Sequence, residues 1–455
     1  MARRRQTDAA VADYQATIRY RLSVGFGRRV WSKVPASAVE EQVARVQWQQ
    51  PNDLRVDVVG RRFRSRNGSI QLSSVWDRPW FVPRGVDDSV RIFSNDFPAT
   101  GALHPLAPTG PQWYRYTATG DLTVTPARGR TLRLVRVEVT PRRTGPALVA
   151  GQMWIDSATA EVVRLTFRYV GTALWVRAED GPRGPDSTKA RRLNSLVNRI
   201  VSIDADLEYG LQDRRYWMPY RQVLAGRVRI PVVSDLVIPF QATTTFEDYA
   251  INSGRPIAFE VPLPDTAGLG PDSLRALRRA RQDSLRDERR GRAGETADSL
   301  RSWNYADRWP GGRYELHRPS NVTLDRYGQW PDSLSLDADP AEARRVREAE
   351  TELARLSAGL PDSITGQRSH GIAYERLSDA LRYDRVQGLS LGLGYRVRVP
   401  GTQFTDLFGT LRYGLSDDRV TGRLTLVACG PRLRRSCARF VHRVRFPGTK
   451  GGDVQ

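Results

Sequence analysis

The chain has few of the residues from which covalent and metal sites are built. Its 455 residues include 2 cysteines, Cys429 and Cys437, and 4 histidines that are far apart in sequence. Neither a disulfide framework nor a Cys/His metal site can be assembled at such spacings, so we expect no metal and no cofactor. Lysine is also scarce. The lysines are Lys33, Lys189 and Lys450, and all other basic side chains that are charged at neutral pH are arginines.

Long apolar runs are missing as well. No stretch approaches the ~20 residues that a membrane helix needs. The first residues, MARRRQTDAAVADY, are basic but lack the apolar segment of a secretion signal. Any membrane role must therefore come from strands or from a partner. A net charge of +21 is typical of proteins that bind polyanions. Since the arginines are spread along the chain and alternate with apolar residues, we instead predict no nucleic-acid partner.

Catalytic motifs are absent, with one formal exception. Residues 388–392 read GLSLG and match G-x-S-x-G, the nucleophile turn of serine hydrolases. That motif needs a strand, a strained turn at the serine and then a helix, whereas alternation here runs straight through Ser390. We therefore predict that the chain is not an enzyme, and a serine hydrolase using Ser390 is the less favoured alternative.

What the chain does contain is period-two alternation of apolar and polar residues. The stretch 14–24 alternates without a break, which predicts a strand with one buried and one wet face. Turn breaks between such stretches favour a mainly β fold with a curved antiparallel sheet. The domain as a whole also resembles the half-barrel of lipoprotein carriers, and this likeness implies an open curved sheet over helices. We predict this domain over 12–262, after an N-terminal remnant 1–11. Further strands are predicted at 46–48, 54–58, 132–139, 152–155, 163–169, 203–209, 224–230 and 243–249.

Four further predictions concern the residues within and between the predicted strands. A short helix is predicted near 36–45, and residues 76–112, rich in Trp, Phe and Pro, are predicted to form an irregular aromatic loop. Asp204 and Asp206 are expected on the wet face of their strand. Four aromatic residues are a candidate apolar groove for a lipid or peptide, although such residues more often fill a core: Trp113, Tyr116, Trp154 and Trp217.

Residues 263–380 form a predicted charged, partly helical linker. Its clearest helix runs from Pro340 to Ala358, with Asp339 as N-cap and Gly359 just past the end. A basic helix is also predicted at about 273–290.

Residues 381–427 are predicted to be the initial strands of an incomplete outer-membrane β-barrel, since ~10-residue alternating strands with tight turns are typical of such barrels. A soluble hairpin meander is the alternative. The predicted lipid-facing residues are Leu389, Leu391, Leu393, Tyr395, Leu411 and Tyr413. The predicted lumen-facing residues are Arg396, Arg398, Arg412 and Arg423. The pattern weakens after Val427, so 428–455 is predicted to be an aberrant basic tail.

Several phrases resemble one bacterial family. They are HPLAP (104–108) with WYRY (113–116), the stretch 139–169, YWMP (216–219) and YDRVQGL (383–389). The family comprises uncharacterised outer-membrane proteins with a carboxypeptidase regulatory-like domain, a middle β domain and a C-terminal β-barrel. The resemblance implies a location in the outer membrane or periplasm. It also implies that the chain is a fragment lacking an export signal, the N-terminal domain and the barrel-completing strands.

The function predicted from these features is structural or transport-type work at the outer membrane, with outer-membrane lipids or a lipoprotein or peptide ligand as partners. The alternative is a soluble periplasmic module that binds a lipid or lipopeptide.

Overall fold

The structure is a computed structural model that describes most, but not all, of the chain. The described residues are 10–28, 35–66, 78–83, 89–92, 97–125, 131–175 without 146, 194–230 without 196 and 199, 236–263, 270, 273, 302–309, 312–366 without 338, 370–372, 381–384, 388–399, 405–414, 420–428 and 438–445.

In the described part of the chain up to residue 366, fifteen strands and four helices have defined bounds. The strands are β1 (Asp13–Gly25), β2 (Gly27–Arg28), β3 (Ala36–Gln49), β4 (Asp53–Ser65), β5 (Ser89–Ile92), β6 (Phe97–Leu103), β7 (Tyr114–Val124), β8 (Leu132–Pro141), β9 (Leu148–Asp156), β10 (Val162–Val170), β11 (Val201–Gln212), β12 (Tyr216–Ile230), β13 (Leu236–Ile251), β14 (Trp303–Trp309) and β15 (Gly312–Arg318). The helices are α1 (Gly110–Trp113), α2 (Asn321–Leu324), α3 (Pro340–Ala358) and α4 (Asp362–Thr365).

All of these strands except β5 and β6, which pair with each other, belong to one 13-stranded sheet. Its order is β14-β15-β4-β3-β1-β13-β12-β11-β10-β9-β8-β7, with β2 beside β13. Every pairing is antiparallel except that of β15 with β4. The two end strands do not pair with each other, so this large sheet is open. The predicted mainly β fold with a curved antiparallel sheet is confirmed.

The alternation of β1 assigns the two faces of the large sheet. Tyr14, Ile18 and Leu22 are at most 1 % exposed, whereas Arg19 and Arg21 between them point the other way. We call the face that shares Ile18 and its cross-strand neighbours the apolar face, and the opposite one the charged face. The apolar face carries two clusters. The first includes Leu22, Leu165, Phe167, Leu207 and Leu224, and the second includes Ile18, Val46, Val56, Met218 and Phe246.

One predicted element is wrong. The helix predicted near 36–45 is part of β3, which pairs along its length with β1 and β4. The sequence ASAVEEQVAR is rich in good helix formers, but cross-strand pairing and burial of Ala38, Val39 and Val43 outweigh that weak local preference.

The predicted linker contributes more to the large sheet than its composition indicates. Strands β14 and β15 extend the sheet beyond residue 262, with Tyr314 opposite Leu54. Helix α3 begins and ends where predicted, and Asp339 accepts a hydrogen bond from the Ala341 amide at 3.0 Å. The basic helix predicted at 273–290 lies outside the described residues, apart from residue 273 itself.

One carboxylate on β15 holds the segment that follows β13. Glu315 is fully buried, and its oxygens accept hydrogen bonds from the backbone amides of Glu260 (2.8 Å) and Val261 (3.1 Å). They also contact Arg313 at 2.7 Å and His317 at 2.6 Å. Burial alone would raise the pKa of Glu315, but these hydrogen bonds outweigh it and lower the pKa to about 2.

The folded protein should therefore lose stability in acid through Glu315. Its folded pKa lies below the unfolded value of about 4.5, so its contribution is fully present above that value and is lost as the pH falls through about 2. Urea unfolding of the wild type and Glu315→Gln at several pH values between 6 and 2 checks this. The stability difference between the two proteins should shrink as the pH falls. A difference that stays constant over this range would contradict the prediction.

A second, six-stranded sheet follows α4. It contains β16 (His370–Ile372), β17 (Leu381–Asp384), β18 (Gly388–Arg398), β19 (Thr405–Gly414), β20 (Val420–Ala428) and β21 (Ala438–Arg445). Its order is β16-β18-β19-β20-β21, with β17 also on β18. The tail predicted to be aberrant contributes β21, which pairs with β20 over eight residue pairs. The alternation within β21 is too short to predict a strand from the sequence, and the strand is identified by its pairing with β20. Within the described ranges this sheet is open too, and no described helix is long and apolar enough to span a membrane.

Candidate binding face of the large sheet

A row of polar side chains crosses the apolar face between its two clusters. The strand register sets Arg61 opposite Gln42, Gln42 opposite Tyr20, Tyr20 opposite Thr244 and Thr244 opposite Gln222. We call Arg61, Gln42, Thr244 and Gln222 the polar row. Gln42, Thr244 and Gln222 are all 0 % exposed. Buried polar groups are retained where they find partners, so each of these side chains needs one on this face.

Residues 78–83, which we call the strap, supply partners for half of the polar row. Gln222 accepts from the Val82 amide at 2.7 Å and donates to the Val82 carbonyl at 2.8 Å. The hydroxyl of Thr244 donates to the carbonyl of Trp80. Two buried side chains thus hold a peptide backbone against the middle of the apolar face.

The strap also fills both clusters with aromatic rings. Trp80 is 3 % exposed and belongs to the first cluster. Phe81 packs against the second cluster, where its ring stands edge-on to Phe246 with centroids 5.8 Å apart. The irregular aromatic loop predicted over 76–112 contains the strap, but β5, β6 and the start of α1 also lie in that range. The position of the strap could not be predicted, because its residues have no strand or helix period.

The other half of the polar row, Gln42 and Arg61, donates to the buried carboxylate of Glu40. Glu40 is 1 % exposed, and its Oε1 accepts from Gln42 Nε2 at 2.8 Å and from Arg61 Nε at 3.2 Å. Arg61 also reaches Asp325, half-exposed at the edge of the sheet, at 3.1 Å. Among the described residues, Glu40 Oε2 and Gln42 Oε1 are buried acceptors without a hydrogen-bond partner. Sequence analysis missed this cluster because residues 36–45 were assigned to a helix.

The charged face is covered by the chain that follows β15. Backbone oxygens of Leu334 and Ser335 accept from Arg64 and Arg21, and Glu342 at the start of α3 accepts from the Thr243 hydroxyl at 2.7 Å. Helix α3 then lies over β9, β10 and β11. It buries Leu353 and Leu356 there.

Asp204 and Asp206 are buried under this helix, not on a wet face as predicted. Asp204 forms a two-point ion pair with Arg168 at 2.6 and 2.7 Å, and Asp206 does the same with Arg164 at 2.8 and 2.7 Å. Burial raises the pKa of Glu350 in α3, which faces this cluster. Helix α3, about 140 residues further along the chain, thus covers the face of β10 and β11 that the sequence pattern predicts to be exposed to solvent.

The four residues of the predicted groove are not brought to one place. Trp113 and Tyr116 pack against the first cluster of the apolar face. Trp154 sits opposite Arg136 and Arg164, which places it on the charged face, with Arg136 6.0 Å from its ring centroid. Trp217 is 5 % exposed and belongs to neither cluster.

The second sheet presents apolar residues outward and buries polar ones. The predicted lipid-facing Leu393 and Leu411 sit opposite each other and are 61 % and 56 % exposed. On the other face, Ser390 and Arg396 are 1 % and 4 % exposed. By strand alternation Arg412 and Arg423 occupy the same face as Arg396, and Arg398 lies at the corresponding backbone position. Leu391, Tyr395 and Tyr413 share the face of Leu393, and Leu389 lies at the corresponding backbone position.

Ser390 lies inside uninterrupted β18, without the strand-to-helix turn of a hydrolase nucleophile. In the parts of the chain that the structure describes, no group of three or more His, Cys, Asp or Glu residues is placed to hold a metal ion.

Comparisons with known proteins give remote likenesses only. No family model matches the chain, and no curated protein matches it. Among solved structures, a domain described as an outer membrane lipoprotein-sorting protein from Vibrio parahaemolyticus is 9 % identical, with a TM-score of 0.21 over 56 % of this chain and 93 % of that one. A LolA superfamily protein from Nitrosomonas europaea is 8 % identical, with a TM-score of 0.22 over 56 % and 94 %. The MucA/MucB complex of Pseudomonas aeruginosa gives 11 % identity and a TM-score of 0.15 over 56 % and 93 %. The strand topology, and not these likenesses, establishes the fold class.

Proposed function

We propose that the apolar face of the large sheet binds a lipid, or the acyl part of a lipopeptide, in the place now taken by the strap. The observation that carries this proposal is the strap itself, which lies on the face as a bound amphipathic segment would. Its side chains enter two apolar clusters, and its polar backbone meets Gln222 and Thr244 between them. A lipid with acyl chains on either side of a polar linkage offers the same sequence of contacts.

Ligand binding then requires the strap to leave. The apparent affinity is the intrinsic affinity reduced by the fraction of molecules in which the strap is released. A variant that weakens the strap without touching the clusters should therefore bind more tightly. Thr244→Val removes the hydrogen bond to Trp80 at nearly constant volume. Thr245→Val is the matched control, because Thr245 is the next residue of β13 and lies on the charged face.

We expect Thr244→Val to lower the apparent Kd for N-phenyl-1-naphthylamine, an uncharged probe that fluoresces in apolar surroundings. The decrease should be about 3- to 10-fold, corresponding to about 1 kcal/mol for one buried hydrogen bond. Fluorescence titration of the full-length wild type and both variants measures it, with circular dichroism as the check on folding. Equal affinities for folded wild type and Thr244→Val, or an equal gain in Thr245→Val, would contradict the proposal.

A second candidate function rests on the second sheet. Its exposed apolar face and buried polar face reverse the order of a water-soluble sheet, and this reversal is typical of strands that contact lipid. We propose that β18–β20 attach the chain to a membrane of the cell envelope, as expected for the outer-membrane family it resembles. The large sheet would then receive or deliver its ligand close to that membrane.

A further inference from the structure

We infer that the binding face selects ligands whose polar group donates hydrogen bonds from nitrogen, such as a long-chain amine or amide, over ligands with a carboxylate. This inference rests on the proposed function and names the ligand class of the same face. It is carried by Glu40 and Gln42, whose free acceptors lie on the apolar face at the end of the polar row that the strap does not reach.

Two buried side chains on the apolar face have unused hydrogen-bonding capacity. Glu40 Oε2 and Gln42 Oε1 are buried acceptors with no donor among the described residues. A buried acceptor left unsatisfied destabilises the protein, so a ligand that supplies donors there recovers that free energy. The two side chains are joined by a 2.8 Å hydrogen bond from Gln42 Nε2 to Glu40 Oε1, so the two groups that carry the free oxygens are neighbours. A primary amide or ammonium carries two or three N–H groups and can meet both.

The second argument is charge. Arg61 is paired with Glu40 and with Asp325, so the cluster of three carries one more negative than positive charge when both acids are ionised. A carboxylate brought here would add a further negative charge next to Glu40, whereas an ammonium would balance it. The protein as a whole carries +21 and would attract a carboxylate from afar. A preference for amines is therefore opposite to the one that net charge alone gives.

The third argument is access. Strand β15 pairs with β4 only along residues 54–57, and no described strand lies beside Arg61 on that side. Helix α2 packs against β4 instead, and Tyr327 lies against Gly60. Asp325, 46 % exposed, marks the surface there. A polar group that enters beside α2 meets Asp325 first, and it reaches the buried Arg61, Glu40 and Gln42 when the groups that cover them move aside. Its alkyl chain then extends along a neighbouring apolar cluster.

The test compares three ligands with the same twelve-carbon chain, namely dodecylamine, dodecanamide and dodecanoic acid at pH 7. Each displaces N-phenyl-1-naphthylamine from the full chain, which gives three apparent Kd values. We expect the amine and the amide to bind at least ~10-fold more tightly than the acid, because only they donate N–H groups to the carboxylate of Glu40. Glu40→Gln should abolish the preference for the amine, because it replaces a carboxylate oxygen by an amide group. Glu41→Gln should retain it, because Glu41 is the next residue of β3 and faces the opposite side.

The outcomes separate the two proposals. If none of the three ligands displaces the probe, the proposed function fails. If all three displace it equally, or the acid binds best, lipid binding stands and the selectivity inference is overturned, with the two acceptors satisfied by water. The ranking in the wild type decides this even if Glu40→Gln does not fold, and Gln42→Leu provides a second variant that should weaken amide binding.

Discussion

Replacing Asp204 by alanine should lower the free energy of unfolding by about 3 kcal/mol, because it leaves the guanidinium of Arg168 buried beneath α3 without its two-point partner. The cost lies at the lower end of the range for broken buried ion pairs, since Glu350 is near enough to Arg168 to interact with it electrostatically. Urea unfolding followed by circular dichroism measures the change.

Two further variants test whether the buried pair is the cause. Asp121→Ala removes an aspartate from a solvent-exposed pair with Arg133, and should change stability by less than about 1 kcal/mol. Arg168→Leu with Asp204→Leu removes both charges and should recover much of the loss, because two apolar side chains need no compensation. Equal losses in Asp204→Ala and Asp121→Ala would show that Asp204 is not held in a buried pair.

Attachment of the second sheet to lipid should be abolished by charging its exposed face. Leu393 and Leu411 are cross-strand neighbours, and replacing both by aspartate places two negative charges in the middle of that face. Charged residues on the lipid face of membrane strands cost up to about 2–4 kcal/mol each near the midplane, although aspartate costs less than arginine or lysine. We expect the wild type to float with phosphatidylcholine vesicles in a density gradient and the double variant to stay at the bottom.

The matched control for this experiment is Leu122→Asp. Leu122 is 48 % exposed on β7, at the far edge of the large sheet, so it tests the general effect of replacing an exposed leucine. This variant should float like the wild type. Flotation of Leu393→Asp/Leu411→Asp together with the wild type would contradict a membrane role for this face.

The elements that could be predicted from the sequence are those determined by residues close together in the chain. The alternation of residues 14–24 gave β1 and its buried face, and Asp339, Pro340 and Gly359 gave the limits of α3. Both signals are carried by residues close together in the chain. The alternation of 388–427 likewise marked β18, β19 and β20 before any pairing partner was known.

Properties that depend on distant residues could not be predicted. Asp204 reads as a wet-face residue until α3 is placed over it. Glu40 and Gln42 read as helix residues until β1 and β4 flank them. The strap has no period at all, and its place is set by hydrogen bonds to Gln222 and Thr244, 140 and 164 residues away. The candidate site is made almost entirely of such long-range contacts.

The position of β1 has a consequence for how the chain is made. This strand pairs with β3 on one side and with β13 on the other, where Tyr14 meets Ile251. At roughly 5–20 residues per second, a ribosome needs roughly 10–50 s to synthesise the stretch between them. Throughout that time the three strands β1, β3 and β4 expose the edge of β1 that β13 will later pair with, together with part of the apolar face. Protection of the newborn chain, by a chaperone or by delayed collapse, is therefore a requirement that follows from the strand order itself.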